Sequence, residues 1–325
     1  MSIDDGIRIT AYENAMRPQV IALICSEYGG SLAEHENNFI GFYEHPFQRE
    51  RCIRLVAMDG DRVVGLQGFF YWPYCVGDER LASFQSGSSL VARDYRGRRI
   101  FARLLGHLDA TRERARIDFL MGFPVKQSFG SFVRNHWANP LDLTWYARII
   151  NPFTILSPLN LGQVEMQFDK APESIETYRL GNAYSLTVDL DFLEWRRQYC
   201  KGTRYYFFHY SSPRGRVRFD LKPRQRGRIA ELIIGDVSST SPDAELLGAA
   251  LRELIRAAQA QRFITILTIA MNSKFRDGAL LRSLRKCFFV RLKPKIHFIV
   301  KTFEASSHVE DPTRWRLFRS DIDTW

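Results

Sequence analysis

The sequence predicts an α/β fold of the α+β kind, with two lobes that each contain a mixed, mostly antiparallel sheet flanked by helices. The chain has 325 residues, which is enough for two domains of about 150 residues each. Hydrophobic residues make up 45% of the chain and aromatic residues 13%, which is typical of a packed globular protein. Strand and helix patterns alternate in the first half and recur in a similar order in the second.

Periodicity and turn residues predict the elements of the first half. Helices are expected over residues 12–28 and 32–47, followed by strands over 54–58 and 62–71 that are joined by the hairpin turn Asp59-Gly60-Asp61. A strand over 80–84 continues into a second stretch, 84–91. A helix over about 98–116, a strand over 119–123 and a helix over 128–137 complete this half.

Proline and glycine then interrupt the pattern, so we expect a linker over 156–180 between domains 1–155 and 181–325. The elements expected in the second half are a helix over 192–199, strands over 203–208, 216–221 and 229–236, an amphipathic helix over 242–261, a strand over 263–270, a helix over 274–285 and a strand over 295–303. Acidic and hydroxyl residues precede the long helix, which indicates a helix N-cap there.

Residues 84–105 combine a strand, a basic turn and the start of a helix. The turn, residues 94–98, supplies arginines and a flexible Gly97, and apolar residues then recur at helical spacing from Ile100 to Leu108. Backbone N–H groups at a helix start have no intrahelical partner, and the helix dipole favours anions there. The stretch therefore predicts a binding site for a phosphorylated cofactor.

This stretch resembles the acyl-CoA-binding turn of the GNAT N-acetyltransferase superfamily, whose pattern is Arg or Gln, two residues, Gly, one residue, and Gly or Ala at a helix start. Arg96 takes the first position, whereas Arg99 and Phe101 stand at the two glycine positions. The next strand ends in Gly-Phe-Pro, as in a branch of this superfamily that continues with Asn, and Val125 stands in place of that Asn.

The resemblance implies that an acyl-CoA binds with its thioester beside the strand that precedes the turn, near the backbone of Leu90 and Val91. Ser86 and Ser88 on that strand are candidates for binding substrate or water. The resemblance covers nearly the whole chain and implies a tandem arrangement, in which a degenerate second lobe shapes the acceptor pocket. The cofactor contacts that it implies are Leu90, Val91, Arg96, Gly97, Arg98, Arg99, Ile100, Phe101, Ala102 and Ser128.

The last residues, 315–325, resemble the ending of a tandem branch found among polysaccharide-cluster acyltransferases. Asp321 and Asp323 in this segment rank above Glu79 as candidates for the general base, although the segment also fits a tail that docks only for stability. The superfamily's usual acid is a Tyr on the helix after the Gly-Phe-Pro strand, a position held here by Phe132. Candidate replacements for that acid are Tyr146 and His136.

The net charge of +10 favours an acidic partner such as coenzyme A, an acyl carrier protein, a nucleotide-linked sugar or a nucleic acid. Arginine clusters at 214–218 and 224–228 are interpreted as hairpin turns rather than as a nucleic-acid site. The sequence contains no long apolar run and no signal-peptide pattern, so a cytoplasmic protein without a membrane partner is expected. Five separated cysteines without a Cys-x-x-Cys pair, and no metal-ligand spacing, favour reduced thiols and no metal.

The function predicted from these observations is transfer of an acetyl or other short acyl group from acyl-CoA to an amine acceptor, such as an amino sugar of a surface glycan. Two alternatives stay open at this point. If Arg99 and Phe101 crowd the phosphate turn, the chain is a non-catalytic binding protein on a GNAT scaffold. If the basic surface docks the donor, the acyl group comes from an acyl carrier protein or an aminoacyl-tRNA.

Overall fold

A computed structural model describes residues 6–111, 117–156, 161, 164–199, 202–303 and 308–325. Contacts between Cα atoms divide the chain into two compact units. Unit 1 consists of Met1–Pro140, Leu186–Lys201 and Phe298–Glu310, and unit 2 consists of Leu141–Ser185, Gly202–His297 and Asp311–Trp325. Each unit therefore combines segments that lie far apart in the sequence.

The described residues contain α-helices and β-strands in alternating groups. The helices are α1 (Arg17–Tyr28), α2 (Leu32–Tyr43), α3 (Ile100–Thr111), α4 (Lys126–Arg134), α5 (Leu190–Tyr199), α6 (Ala244–Ala260) and α7 (Ala279–Lys286). The strands are β1 (Ile7–Ala11), β2 (Ile53–Asp59), β3 (Arg62–Tyr71), β4 (Tyr74–Val76), β5 (Glu79–Leu81), β6 (Ser83–Val91), β7 (Phe119–Gly122), β8 (Ala138–Ile149), β9 (Tyr184–Leu186), β10 (Tyr206–Ser212), β11 (Gly215–Arg226), β12 (Ile229–Ser239), β13 (Ile266–Met271) and β14 (Val290–Thr302).

Unit 1 contains a mixed sheet with the strand order β1-β2-β3-β6-β7, and the end of β14 pairs antiparallel with β7. Each adjacent pair among β1, β2, β3 and β6 is antiparallel, whereas β6 and β7 run parallel. The predicted hairpin turn joins β2 to β3, and Gly60 takes a φ of +55° there. Residues 63–70 of β3 are all buried, as expected for a central strand that is covered on both faces.

Helices cover both faces of the unit 1 sheet beside β3. A Cβ on Gly65 would lie 3.1 Å from a methyl carbon of Ile100 in α3. A Cβ on Gly68 would lie 2.2 Å from the hydroxyl of Tyr43 in α2. Residues 65 and 68 point to opposite faces of a strand, so α3 packs on one face and the end of α2 on the other.

Unit 2 contains a sheet with the strand order β8-β13-β12-β11-β10, in which β12 and β13 run parallel and the other pairs are antiparallel. Asp243 caps α6, because its side chain accepts a hydrogen bond from the Glu245 N–H at 2.8 Å, as the sequence predicts. The buried face of α6 consists of Leu246, Leu247, Gly248, Ala250, Leu251, Leu254, Ile255 and Ala258. This face lies in the hydrophobic core of the unit.

Two differences from the predicted elements have a clear cause. The helix expected over 128–137 ends at Arg134, since the chain turns at His136, whose φ is +62°. Residues 138–149, to which the sequence assigns no element, form β8. Residues 143–147 of β8 are all buried, and a strand buried on both faces has no alternation by which periodicity can identify it.

Candidate functional site

In unit 1, β6 and β7 separate soon after they meet. Their parallel register ends where Gln85 lies opposite Met121, although β6 continues for a further six residues. A Cβ on Gly122 would lie 3.5 Å from the Cβ of Ser86, so these two residues face each other where the strands diverge. We call the resulting wedge the β6–β7 cleft, and residues 86–91 and 122–124 border it.

A β-bulge interrupts β6 along this cleft. In the register with β3, Gln67 alone lies opposite two residues, Ser88 and Ser89. Ser88 has a φ of +52°, in the left-handed region that residues other than glycine rarely adopt. Bulges re-aim side chains and are frequent beside functional sites, and strain of this kind persists where the surrounding structure enforces it. Because of the bulge, the side chain of Ser88 points in a direction that regular strand alternation would not give it.

The completely buried side chain of Gln67 holds the bulge through hydrogen bonds. Its Nε2 donates to the Ser86 Oγ at 3.0 Å and to the Gly68 carbonyl at 2.7 Å. The Ser89 hydroxyl donates to Gln67 Oε1 at 2.6 Å. Ser86, a predicted substrate contact, is thus fixed at the cleft by a residue that the sequence analysis missed. The signal was a lone glutamine inside the otherwise apolar and glycine-containing run of β3.

Tyr43, at the end of α2, reaches the same bulge from the other face of the sheet. Its hydroxyl donates to the Ser88 Oγ at 2.7 Å, and its ring is 3% exposed. A side chain at Gly68 would collide with this hydroxyl. A glycine inside a buried strand often marks a close approach by another group. Gly68 was therefore a signal in the sequence that some group contacts β3 there, but only the fold identifies that group as Tyr43.

The turn after β6 places arginines at the start of α3. Gly97 has a φ of +85°, and Arg99 has a φ of +58°. Arg99 stands at a position where the family pattern has glycine. Its backbone adopts the left-handed conformation, which costs glycine less than any other residue. Phe101, at the second glycine position, packs edge-on against Phe132 of α4, with ring centroids 5.1 Å apart.

Glu27 of α1 ties two of these arginines to unit 1. Its carboxylate, only 6% exposed, lies 2.5 Å from Arg96 Nη2 and 3.6 Å from Arg93 Nε. Arg96 also donates from Nε to the Val91 carbonyl at 3.2 Å. Glu27 neutralises part of the positive charge of the turn and orients Arg96, and no sequence pattern identified it.

A cavity of about 410 Å³ adjoins this turn, bordered by α1 on one side. Its lining is Gln19, Ala22, Leu23, Ser26, Glu27, Arg62, Val63, Ala92, Arg93 and Asp94. Beneath the turn, Tyr95 donates its hydroxyl to Asp59 at 2.5 Å, and this hydrogen bond raises the pKa of Tyr95. The guanidinium of Arg98 lies 4.7 Å from the centre of the Tyr95 ring, which supports the turn from outside.

The remaining predicted cofactor contacts also lie in unit 1. Leu90 is buried and Val91 is half-buried in β6, beside the cleft. Ile100 is buried against β3, and Ala102 is half-buried in the first turn of α3. The Ser128 hydroxyl, in the first turn of α4, donates to the Val125 carbonyl at 3.2 Å.

The four predicted catalytic residues lie in different units. Glu79 is exposed on β5 in unit 1. Tyr146 is in the hydrophobic core of unit 2 and is 5% exposed. Asp321 is 3% exposed, and its Oδ2 accepts the Phe318 N–H at 2.7 Å, whereas Asp323 is half-buried. His136, the other candidate acid, is exposed.

Unit 2 has its own diverging pair, β12 and β13, whose parallel register ends at Ile234 and Ile269. The C-terminal residues 315–325 occupy the space beyond this point. The N–H of Asn272, just after β13, donates to the Leu317 carbonyl at 2.9 Å. The Trp325 ring covers Gly235 of β12 so closely that a Cβ there would lie 2.0 Å from it.

Partly buried charged groups lie beside this filled wedge. Arg316 donates to Asp236 Oδ1 at 2.8 Å, and Arg218 donates to Asp220 Oδ1 at 2.7 Å. Burial raises the pKa of Asp220 to about 6; the neighbouring Asp236 adds to the rise and Arg218 opposes it. These carboxylates serve the packing of the C-terminal segment within unit 2.

No group of three or more His, Cys, Asp or Glu side chains in the described ranges is arranged to hold a metal ion. No helix in the described part of the chain has the length and apolar character needed to cross a membrane. Cys25, Cys52 and Cys287 are free thiols, Cys75 is buried, and Cys200 lies outside the described residues.

No protein-family model and no curated protein matches this sequence. Solved structures do match it. A GCN5-related N-acetyltransferase from Anabaena variabilis has a TM-score of 0.61 and 14% identity, over 92% of this chain and 73% of its own. A GCN5-related N-acetyltransferase from Kribbella flavida has a TM-score of 0.57 and 12% identity, over 92% and 71%.

A third similar structure is the N-myristoyltransferase of Saccharomyces cerevisiae with bound myristoyl-CoA. It has a TM-score of 0.51 and 10% identity, over 99% of this chain and 86% of its own. At such identities the similarity concerns the fold alone. The chain has a two-lobed GNAT-like fold of mixed, mostly antiparallel strands flanked by helices, and the fold class predicted from the sequence is confirmed.

Proposed function

We propose that this chain is an acyltransferase that moves an acetyl or other short acyl group from acyl-CoA to an amine. The observation that carries the proposal is the β6–β7 cleft, which opens beside an arginine-rich turn at the start of α3 in a GNAT-like fold. The similar structures include two N-acetyltransferases and an N-myristoyltransferase with bound myristoyl-CoA, which favours the same reaction class here.

The residues of the turn suit a pyrophosphate. Backbone N–H groups at the start of a helix attract anions, and the positive φ of Gly97 and Arg99 leads the chain directly into the first turn of α3. Arg98 and Arg99 are exposed and have guanidinium groups that match phosphate oxygens. Arg96, held by Glu27, completes the basic rim. The further contacts proposed are Gly97, Ile100, Phe101, Ala102 and Ser128.

The pantetheine arm then follows β6 past Leu90 and Val91 and brings the thioester to the bulge. Ser86 and Ser88 are half-exposed there and are proposed to contact the reacting groups. The acceptor amine must lose a proton, and the leaving thiolate must be stabilised or protonated. Asp321, Asp323 and Glu79 stay proposed candidates for the base, and Tyr146 for the acid.

The acceptor is proposed from the end of the sequence. The resemblance of the last residues to polysaccharide-cluster acyltransferases favours an amino sugar of a surface glycan, and a tandem arrangement in the cytoplasm fits that role. We propose no nucleic-acid acceptor, since the arginines at 214–218 and 224–228 belong to strands β11 and β12 and their turns.

One observation favours a second candidate function. The Phe101 ring occupies space beside the turn where the family pattern has Gly or Ala, and it is held there by Phe132. If this ring prevents a close approach of pyrophosphate, the donor is an acyl carrier protein or an aminoacyl-tRNA docked on basic residues, or the chain binds without catalysis.

Calorimetric titration of acetyl-CoA and of CoA tests the proposal. We expect wild-type protein to bind both with a dissociation constant of about 1–100 μM, as cofactor and substrate sites often do. Arg96→Ala is expected to lose at least tenfold in affinity, because a charge-assisted hydrogen bond is lost. Arg256→Ala is the matched control, since Arg256 is an exposed arginine paired with Glu253 on α6.

Absence of binding by the wild type at low salt would contradict the CoA-dependent reaction. The same titration with an acyl carrier protein at low and high salt would then separate the alternatives, since docking on a basic surface weakens as salt rises. Equal affinities for wild type and Arg96→Ala would instead remove Arg96 from the proposed site.

A further inference from the structure

We propose that Tyr43 and Ser88 form the proton-donating pair of the β6–β7 cleft, with Ser88 touching the leaving sulfur and Tyr43 acting through Ser88. This inference rests on the proposed acyl transfer and assigns the acid to residues other than Tyr146 and His136, the candidates that the sequence offers because Phe132 stands at the expected tyrosine position. Ser88 is thus a catalytic residue and Tyr43 a positioning residue.

The hydrogen-bond directions single out Ser88 among the serines of the bulge. Ser86 accepts from Gln67, and Ser89 donates to Gln67, so both are engaged with that side chain. Ser88 instead accepts the hydroxyl proton of Tyr43 at 2.7 Å. Because the Ser88 oxygen accepts this hydrogen bond, the hydroxyl proton of Ser88 is available for a molecule bound in the cleft. Successive hydrogen bonds in such a chain polarise one another.

The exposure of the two residues indicates which of them faces the cleft. Tyr43 is 3% exposed, whereas Ser88 is half-exposed at the edge of the cleft. The Tyr43 hydroxyl therefore reaches a bound molecule through Ser88. The left-handed backbone of Ser88 maintains this arrangement, and the surrounding structure must offset the cost of that conformation.

The position of Tyr43 is set by its surroundings in unit 1. Its ring lies against Phe39 and Phe42 of α2, with centroids 4.9 Å and 4.7 Å away. The absence of a side chain at Gly68 admits the hydroxyl to the strand. These contacts leave the hydroxyl in one place, as a proton donor to a developing thiolate requires.

A positive charge accompanies the tyrosine. The guanidinium of Arg54 lies 5.7 Å from the centre of the Tyr43 ring, and its Nη1 is buried without a hydrogen-bond partner within the described residues. A nearby cation stabilises negative charge on an oxygen that gives up its proton. Arg54 therefore places a positive charge beside the ring of Tyr43.

The proposed step balances. The acceptor nitrogen forms a bond to the acyl carbon as the carbon–sulfur bond breaks, and the bonding pair stays on sulfur. Ser88 gives its proton to that sulfur and takes the proton of Tyr43. The acceptor ammonium loses one proton to water before the attack, and its nitrogen loses a second as the amide forms. One proton equivalent returns through Ser88 to Tyr43, replacing the one given to sulfur, and the other stays in the solvent.

The first test measures the thiol of bound CoA, without turnover. Thiolate absorbance is followed against pH for CoA bound to wild type, Tyr43→Phe, Ser88→Ala and Tyr12→Phe. A donor aimed at sulfur stabilises the thiolate, so the thiol pKa in Tyr43→Phe and Ser88→Ala is expected about one unit above its value in wild type. Tyr12→Phe is the matched control, because Tyr12 packs on the same Phe39 with a buried hydroxyl that lacks a partner among the described residues.

The second test measures thiol release from acetyl-CoA with hydroxylamine as the acceptor. Tyr43→Phe and Ser88→Ala are expected to lower kcat about 100-fold with little change in KM, as loss of general acid catalysis does. An aryl thioester analogue, whose thiolate leaves without a proton, is expected to show a much smaller loss.

Two outcomes would overturn the pair: an unchanged thiol pKa in Tyr43→Phe, or an equal loss of kcat with both thioesters. No thiol release by a wild type that binds acetyl-CoA would overturn the acyl transfer on which the pair rests. An absence of acetyl-CoA binding in wild type would overturn the acyl transfer itself. The calorimetric titration of wild type detects an absence of acetyl-CoA binding before any variant is compared.

Discussion

The two units share a strand pattern and differ in what lies between the diverging strands. In unit 1, β6 and β7 part beside exposed arginines, and a cavity of about 410 Å³ adjoins the turn. In unit 2, β12 and β13 part in the same way, but residues 315–325 occupy the wedge and the cavity beside them is about 60 Å³.

The difference lies in the side chains that follow each pair of strands. After β6 the chain has arginines and a left-handed turn, which suit a charged ligand. After β12 it has hydroxyl residues and Asp243, which cap α6 internally. Aromatic residues from the end of the chain then bury the second wedge. One topology thus yields a polar site in unit 1 and a stabilising contact in unit 2.

Removal of Trp315 is expected to have the largest effect on this comparison. Trp315 is completely buried and stacks on Tyr184 with centroids 4.5 Å apart. Trp315→Ala should lower the free energy of unfolding by about 3–5 kcal/mol, because a large cavity remains. Urea denaturation measures the loss, with Trp315→Phe as the control that keeps an aromatic ring on Tyr184. A loss below about 1 kcal/mol for Trp315→Ala would show that the filled wedge is not a stabilising contact.

The partly buried carboxylate of Asp220 in unit 2 should make stability depend on pH. Burial raises the pKa of Asp220 from 3.8 to about 6, so between those values the folded chain binds a proton that the unfolded chain has lost. Stability contributed by this group is therefore present below about pH 4, falls as the pH rises and levels off above about pH 6, a loss of about 3 kcal/mol.

Urea denaturation of wild type and Asp220→Asn at pH 4, 5, 6 and 7 checks this sign. The unfolding free energy of wild type relative to the variant should fall across the series. A difference that stays constant, or rises, would mean that Asp220 is ionised throughout, with Arg218 outweighing the burial.

The smallest expected effect concerns the turn of unit 1. Arg99→Gly should raise the free energy of unfolding by about 0.5–1 kcal/mol, because glycine adopts the left-handed conformation without a Cβ penalty. Arg98→Gly is the matched control at an adjacent exposed arginine without a positive φ, and it should not stabilise. Equal effects of the two changes would contradict the assignment of strain to Arg99.

The sequence analysis succeeded where local signals are strong. The turn at Gly60, the cap at Asp243 and the apolar face of α6 were predicted, because each depends on residues close in the chain. It failed for β8, whose continuous burial hides its periodicity. The domain limits of 1–155 and 181–325 stay a prediction, as do the assigned site residues.

Composition, periodicity and the order of strand and helix patterns were therefore enough to predict the fold class, whereas the site for a phosphorylated ligand at the arginine-rich turn stays a prediction. The tertiary structure decided which polar groups meet there. Tyr43 and Ser88 are 45 residues apart, and Arg96 and Glu27 are 69 apart. Such pairs leave no pattern in the chain, since their contact depends on how helices pack across the sheet. For Tyr43 and Ser88, the bulge at Ser88 and the missing side chain at Gly68 allow the contact, and both features belong to the folded backbone.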